Sequence, residues 1–195
     1  MTDDRGRKRE EDRLIDTFFN QIPRDIAYLK KVDKRVNLGK RGFEKIFKEW
    51  YGRPLPPQLE VDLVLVFEDP DKIIDEALIL GVELKHIVDR KQNFYAGLDQ
   101  TLAFGLFGFD GMALWHIFAQ SFSDDMIASY RTAMEETIAI FRLPICYLPL
   151  QIKANQSFAY YGSISPWDIT SPQIVRLTRD HFVQNKGINR MHVHQ

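Results

Sequence analysis

Apolar residues at Leu14, Ile15, Phe18, Phe19 and Ile22 recur at helical spacing and predict a short amphipathic helix that Pro23 ends. Residues 1–12 before it are charged and read as a flexible N-terminus. Arg24 to Arg41 is basic, with a turn expected around Asn37-Leu38-Gly39. Phe43, Ile46, Phe47 and Trp50 then form one helical stripe, which Gly52, Pro54, Pro56 and Pro57 break. Leu59 to Phe67 is β-rich and runs into the turn Glu68-Asp69-Pro70-Asp71, and Leu78 to Ile87 reads as the next strand. Two such strands in succession suggest a long hairpin.

Tyr95 to Phe107 is apolar on nearly all sides, as a buried helix would be, although Gly97 and Gly105 weaken it. Met112 to Ala119 is a short apolar run and reads as a core strand. Ser123 is an N-cap, Asp124 and Asp125 suit a first helical turn, and Ile127, Tyr130, Met134, Thr137, Ile138 and Phe141 continue the helix to Leu143-Pro144. Ile145 to Ile152 is a further strand, with Pro149 arguing for an edge or a bulge, and Ser157 to Ile164 suggests another. The order predicts an α/β fold: a mixed sheet with helices on both faces. We expect one domain over 13–195, with its core at about 42–152.

The length of 195 residues suits one domain, and 45% hydrophobic residues can fill a sizeable core. The single cysteine, Cys146, excludes an internal disulfide framework. No secretory signal is visible in the charged start, and no apolar run reaches the roughly 18–20 residues needed to cross a bilayer. The expectation is a cytoplasmic protein with no membrane partner. Net charge is −1, but residues 1–53 carry 15 Lys and Arg against 10 Asp and Glu. That basic third is either a set of phosphate contacts or a solvated surface.

Candidate chemistry lies on the two hairpin strands. Strand side chains alternate between faces. Glu60 and Asp62 fall on a face with Val64 and Val66, opposite Val61, Leu63, Leu65 and Phe67. Glu83 and Lys85 share a face with Ile79, Gly81 and Ile87, opposite Leu78, Leu80, Val82 and Leu84. If the charged faces coincide, Asp62, Glu83 and Lys85 converge. Charges on half-buried strands are costly unless paired or bound to metal. The cluster is therefore either a structural ion pair around Lys85 or a site for a hard cation such as Mg²⁺.

Asp62, followed on the next apolar strand by Glu83-Leu84-Lys85 and then by a helix, resembles the PD-(D/E)XK nuclease superfamily over about 42–119. The proline of the family name is absent, since Val61 precedes Asp62. The resemblance implies a restriction-endonuclease-like fold and a Mg²⁺-dependent nuclease, with Mn²⁺ able to substitute. Its partner would be nucleic acid, DNA before RNA, in repair, recombination or defence. It implies that Asp62, Glu83 and the Leu84 carbonyl bind the metal and that Lys85 serves the attacking water. A homodimer is compatible with the family. The alternative is a non-catalytic nucleic-acid or protein-binding module that keeps the fold. Several members place a Gln on the following helix, which makes Gln100 a fourth site residue, on a stripe with Phe104 and Phe107. Glu44 or Glu49 is a further candidate acid, though both flank their helix's apolar stripe.

The remaining candidates rank lower. His116 lies in a core-like strand and reads as a packed, hydrogen-bonded residue. His86 falls opposite Lys85 by alternation. His192 and His194 have ligand-like spacing near the chain's end. Cys146 has no matched base. Lys40-Arg41-Gly42 and Arg90-Lys91 are candidate backbone grips or plain surface charge.

Overall fold

The structure, a computed structural model, describes residues 4–21, 28–38, 48–49, 60–73, 75, 77–154 and 157–162. Its centre is a mixed six-stranded sheet in which each strand lies beside its sequence neighbour: β1 (Leu29–Asn37), β2 (Glu60–Phe67), β3 (Leu78–Ile87), β4 (Gly111–Phe118), β5 (Ile145–Ile152) and β6 (Phe158–Tyr160). The pairs β1–β2, β2–β3 and β5–β6 are antiparallel, while β3–β4 and β4–β5 are parallel. A parallel pair needs a crossover. The first runs through α2 (Leu98–Ala103) and a 3₁₀ turn (Phe104–Phe107), the second through α3 (Asp124–Phe141). Helix α1 (Asp4–Gln21) precedes the sheet. Among the described residues no helix is long and apolar enough to cross a membrane.

Two apolar clusters sandwich the sheet. Leu14, Ile15 and Phe18 of α1 pack on Leu63, Leu65, Phe67, Leu80, Leu84, Trp115 and Leu148. On the opposite face, Phe104, Phe107 and Met134 pack on Val64, Ile79, Met112 and Leu114. All eight residues of β4 are buried, as expected of a strand covered on both faces. Every β3 residue is buried except Lys85. Ser123 caps α3 by accepting from the Met126 N–H, and Arg142 ends it in the left-handed conformation.

The structure departs from the sequence reading in several places. Helix α1 begins at Asp4, inside the segment read as flexible. Residues 5–13 are mostly Arg, Lys and Glu, strong helix formers whose lack of an apolar stripe hides them from a periodicity search. Part of the basic segment Arg24 to Arg41 is strand β1, so the sheet extends beyond the expected core. Its alternation is obscured by an irregularity between Leu29 and Lys31 and by lysines suited to a sheet edge. Tyr95 to Phe107 is not one helix. Gly97 takes φ +82°, α2 starts only at Leu98, and the chain tightens to 3₁₀ at Phe104. Pro149 lies within β5 between two neighbours, but β6 pairs only with Leu150–Ile152 and accordingly spans three residues of the Ser157 to Ile164 segment. Phe141, placed on the apolar stripe of α3, is 69% exposed. The stripe Phe43 to Trp50 lies outside the described residues apart from Lys48 and Glu49, which are helical and exposed.

Candidate active site

The β2–β3 ladder runs from Phe67↔Leu78 to Leu63↔Val82 and stops there. One residue further on, Asp62 Oδ2 accepts a hydrogen bond of 2.7 Å from the Leu84 N–H. In an unbroken ladder of this register Val61 would face Leu84, so the Asp62 carboxylate replaces a strand partner. Val61 instead joins the cluster on the α2 face, breaking the alternation expected of it with Leu63 and Leu65. The N–H and C=O of one strand residue point to the same side. The Leu84 carbonyl therefore also points toward the gap beside Asp62.

Strand β1 keeps β2 extended past this point, pairing Val36 with Val61 and Asn37 with Glu60. The residue opposite Asp62 by that register is Arg35, which has φ +52°. A side chain held in the left-handed region costs roughly 1–3 kcal/mol and persists only where its surroundings impose it. Here the guanidinium bonds the Asp12 carbonyl at 2.8 Å and Asp16 Oδ2 at 3.2 Å, tying the irregularity to α1.

Glu83 and Lys85 extend from β3 on the α2 face. Lys85 Nζ meets Glu83 Oε1 at 2.7 Å, and the Glu83 side chain is 3% exposed. Glu83 Oε2 is buried with no hydrogen-bond partner. Burial raises the pKa of Glu83, the neighbouring Asp62 charge raises it further, and Lys85 opposes both. Burial also raises the pKa of Asp62, partly offset by the Leu84 N–H and by Lys85. For Lys85, burial acts to neutralise the amine, but the Glu83 carboxylate together with the charges of Glu11 and Asp62 outweighs it and the pKa rises. The ammonium is thus held charged between two acids that resist ionising together.

The other sequence candidates separate clearly. Gln100 sits half-buried on α2 and makes no hydrogen bond to Asp62, Glu83 or Lys85. The helix breaks at Phe104, so the stripe that was to aim Gln100 at the site does not continue. His116 is fully buried, bonded through Nε2 to the Ala96 carbonyl at 2.8 Å and through Nδ1 to Tyr147 at 3.0 Å. His86 lies buried on β3, one residue beyond Lys85, with neither ring nitrogen bonded. Burial pushes the Cys146 thiol up to about 11, away from nucleophilic use. Arg90 and Lys91 are exposed on the loop after β3. Glu44, Lys40-Arg41-Gly42, His192 and His194 lie outside the described residues, and Glu49 is exposed on its short helical fragment.

One acid escaped the sequence reading. The negative charge of Glu11 on α1 acts on Asp62, Glu83 and Lys85 alike. No local signal marks it, because its proximity follows from how α1 docks across the sheet. Among the described residues no group of three or more His, Cys, Asp and Glu side chains is placed to hold a metal ion. A cation here would have to be held by the Asp62 and Glu83 carboxylates and the Leu84 carbonyl. That set fits a hard ion, with water completing its shell. The unbonded Glu83 oxygen and the Asp62–Glu83 repulsion are what such an ion would relieve.

This electrostatics has a pH signature in the metal-free protein. Both acids hold protons more tightly folded than unfolded. Their contribution to stability is present below the ordinary carboxylate range and is lost as pH rises from about 4 through the raised folded pKa values. Glu83→Gln should flatten that fall and raise Tm at pH 8 by about 2–4 °C, the shift that ~1 kcal/mol produces in a chain of this size. Thermal melts in EDTA from pH 4 to 8 would show it, and an identical slope in the variant would refute the coupling.

No protein-family model matches the chain, and no curated protein matches it. Among solved structures it is similar to SfsA of Pyrococcus furiosus in complex with Ca²⁺, at 15% identity and a TM-score of 0.25. The similarity covers 63% of this chain and 61% of that one.

Proposed function

We propose that this chain is a metal-dependent nuclease with a restriction-endonuclease-like fold, of the PD-(D/E)XK kind, hydrolysing phosphodiester bonds with Mg²⁺ or Mn²⁺. The observation that supports this most is Glu83: a buried carboxylate on a core strand, one oxygen on Lys85 and the other bonded to nothing, repelled by a second buried acid. An unbonded buried carboxylate oxygen beside a second acid is costly, and a divalent cation would relieve it beyond what Lys85 alone supplies.

Asp62, Glu83 and the Leu84 carbonyl would hold the ion. When bound, Mg²⁺ polarises a phosphoryl oxygen and lowers the pKa of a coordinated water. Asp62 also fixes the Leu84 main chain through its hydrogen bond, so one carboxylate orients a second donor. Lys85 is the one β3 residue with access to solvent. Its ammonium, kept charged by Glu83, can steady the attacking water or the negative charge that develops on the phosphate. Gln100 lies half-buried on the helix that follows, unbonded to the three, and its part in the site rests on the family resemblance. DNA is the substrate we favour over RNA, and a cytoplasmic location and a homodimer belong to the same reading as family expectations.

The non-catalytic alternative draws on one observation, the two-carboxylate donor set without a third side-chain ligand among the described residues. The two readings are separated by incubating the protein with single-stranded, duplex, flap and junction DNA, and with RNA, in Mg²⁺, in Mn²⁺ and in EDTA. The nuclease reading expects cleavage that EDTA stops and that Asp62→Asn lacks. Binding without cleavage under every divalent condition favours the module.

A further inference from the structure

Beside Lys85 on the neighbouring strand lies a part-buried polar chain that the roles above do not use. Lys85 and His116 are register partners on adjacent strands β3 and β4. The Ala96–Gly97 turn lies against both. A Cβ built on Gly97 would stand 2.7 Å from Lys85 Cγ, 3.1 Å from Lys85 Cε and 3.0 Å from Leu114 Cδ1. Only a glycine, left-handed at φ +82°, lets the turn approach the lysine stem this closely. The Ala96 carbonyl, which can only accept, faces His116 Nε2 at 2.8 Å. Nε2 therefore carries the proton, Nδ1 is an acceptor, and the Tyr147 hydroxyl 3.0 Å away donates to it. Burial holds the ring neutral, with its pKa down at about 4, so this tautomer is kept at physiological pH.

We propose that Tyr147 and His116 are positioning residues that hold the Ala96–Gly97 turn against the Lys85 stem and thereby set where the Lys85 ammonium stands beside Glu83. The chain runs Tyr147 O–H to His116 Nδ1, His116 Nε2–H to the Ala96 carbonyl, then by contact from Gly97 to Lys85. The first two links are directional, part-buried hydrogen bonds and the last is close van der Waals contact; breaking a hydrogen bond to the fully buried His116 ring leaves a group unsatisfied. The consequence for cleavage rate rests on the nuclease reading, whereas the effect on Lys85 itself does not.

The test uses the full chain and four variants, Gly97→Ala, His116→Leu, His116→Gln and Tyr147→Phe, with two readouts. The first is the Lys85 ε-methylene NMR signal at fixed pH without metal, assigned by its loss in Lys85→Ala. It should move in Gly97→Ala and His116→Leu, move less in Tyr147→Phe, and return toward the parent in His116→Gln, whose amide can still donate to Ala96. The second is single-turnover cleavage at saturating nucleic acid. Gly97→Ala and His116→Leu should slow it about 10- to 100-fold, the range for a catalytic group displaced rather than removed, with binding unchanged. Tyr147→Phe changes little volume and serves if the other variants do not fold. A Lys85 signal unmoved in folded Gly97→Ala, His116→Leu or Tyr147→Phe overturns the proposal. A signal that moves as expected in a protein that cleaves nothing upholds the positioning and rejects the nuclease.

Discussion

Lys85→Ala is expected to lower single-turnover cleavage by about 10²–10³-fold, the usual loss for one preorganised stabilising group. Nucleic-acid affinity should change far less, because one phosphate contact among several carries little of it. The asymmetry follows from where the ammonium is. Its partner in the resting protein is Glu83 Oε1 at 2.7 Å, within a pair that is mostly buried. Its value to the reaction would come from charge that develops only at the transition state. Removal also leaves Glu83 with no bonded oxygen, so the variant's carboxylate should titrate still higher. Lys85→Arg should recover little, since the planar fork does not fit a stem packed against the Gly97 backbone. Rates and binding measured at one salt concentration decide the matter. A Lys85→Ala protein that cuts as fast as the parent while Asp62→Ala is dead would make Lys85 a counter-ion and nothing more.

Phe18→Ala is expected to cost about 3–5 kcal/mol, the range for a buried aromatic truncated to a methyl group. Phe18 is fully buried and is the point at which α1 is fastened to the sheet. Its ring meets Trp115 edge-on at 5.2 Å and stacks on Phe158 at 4.5 Å, bridging β4 and β6. A loss of that size would lower Tm by roughly 10 °C in a protein of this length. Helix α1 also carries Asp12 and Asp16, which bond Arg35 opposite Asp62, and Glu11, whose charge reaches the site. Metal-dependent stabilisation should therefore weaken together with the fold. Phe18→Leu should restore most of the stability. Urea or thermal unfolding of the three proteins checks this, and a loss below about 1 kcal/mol would mean that α1 does not pack as described.

The parts of the fold legible in the sequence are those where one physical rule dominates. Strands β2, β3, β4 and β5 are apolar runs bounded by turn residues, and α3 has a cap, a stripe and a stop. The parts that were not legible are where rules compete. In β1 a register shift and edge lysines spoil the alternation. In α1 the charged first turns have helix propensity but no periodicity. At Gly97 a left-handed residue divides what composition reads as one helix, because the turn must lie close to Lys85. The candidate site divides in the same way. Asp62, Glu83 and Lys85 stand out because charge on a core strand demands a reason. Glu11, Arg35 and the Tyr147–His116 chain do not, since their relevance depends on how helices dock, on a backbone angle and on strand register. Gln100 rests on the family resemblance and on an α-helical stripe extended through Phe104, where the chain winds as 3₁₀.

The most direct measurement is a calorimetric titration of Mn²⁺ into the parent and into Glu83→Gln at neutral pH, in buffers of different ionisation enthalpy. Glu83, whose pKa burial and the Asp62 charge raise to about 8, must lose its proton for a cation to bind between the two acids, so the apparent heat should depend on the buffer. Saturable, proton-releasing binding is expected in the parent and its loss in Glu83→Gln, with the variant still folded. Binding that is absent from the parent, or that Glu83→Gln leaves unchanged, would contradict it.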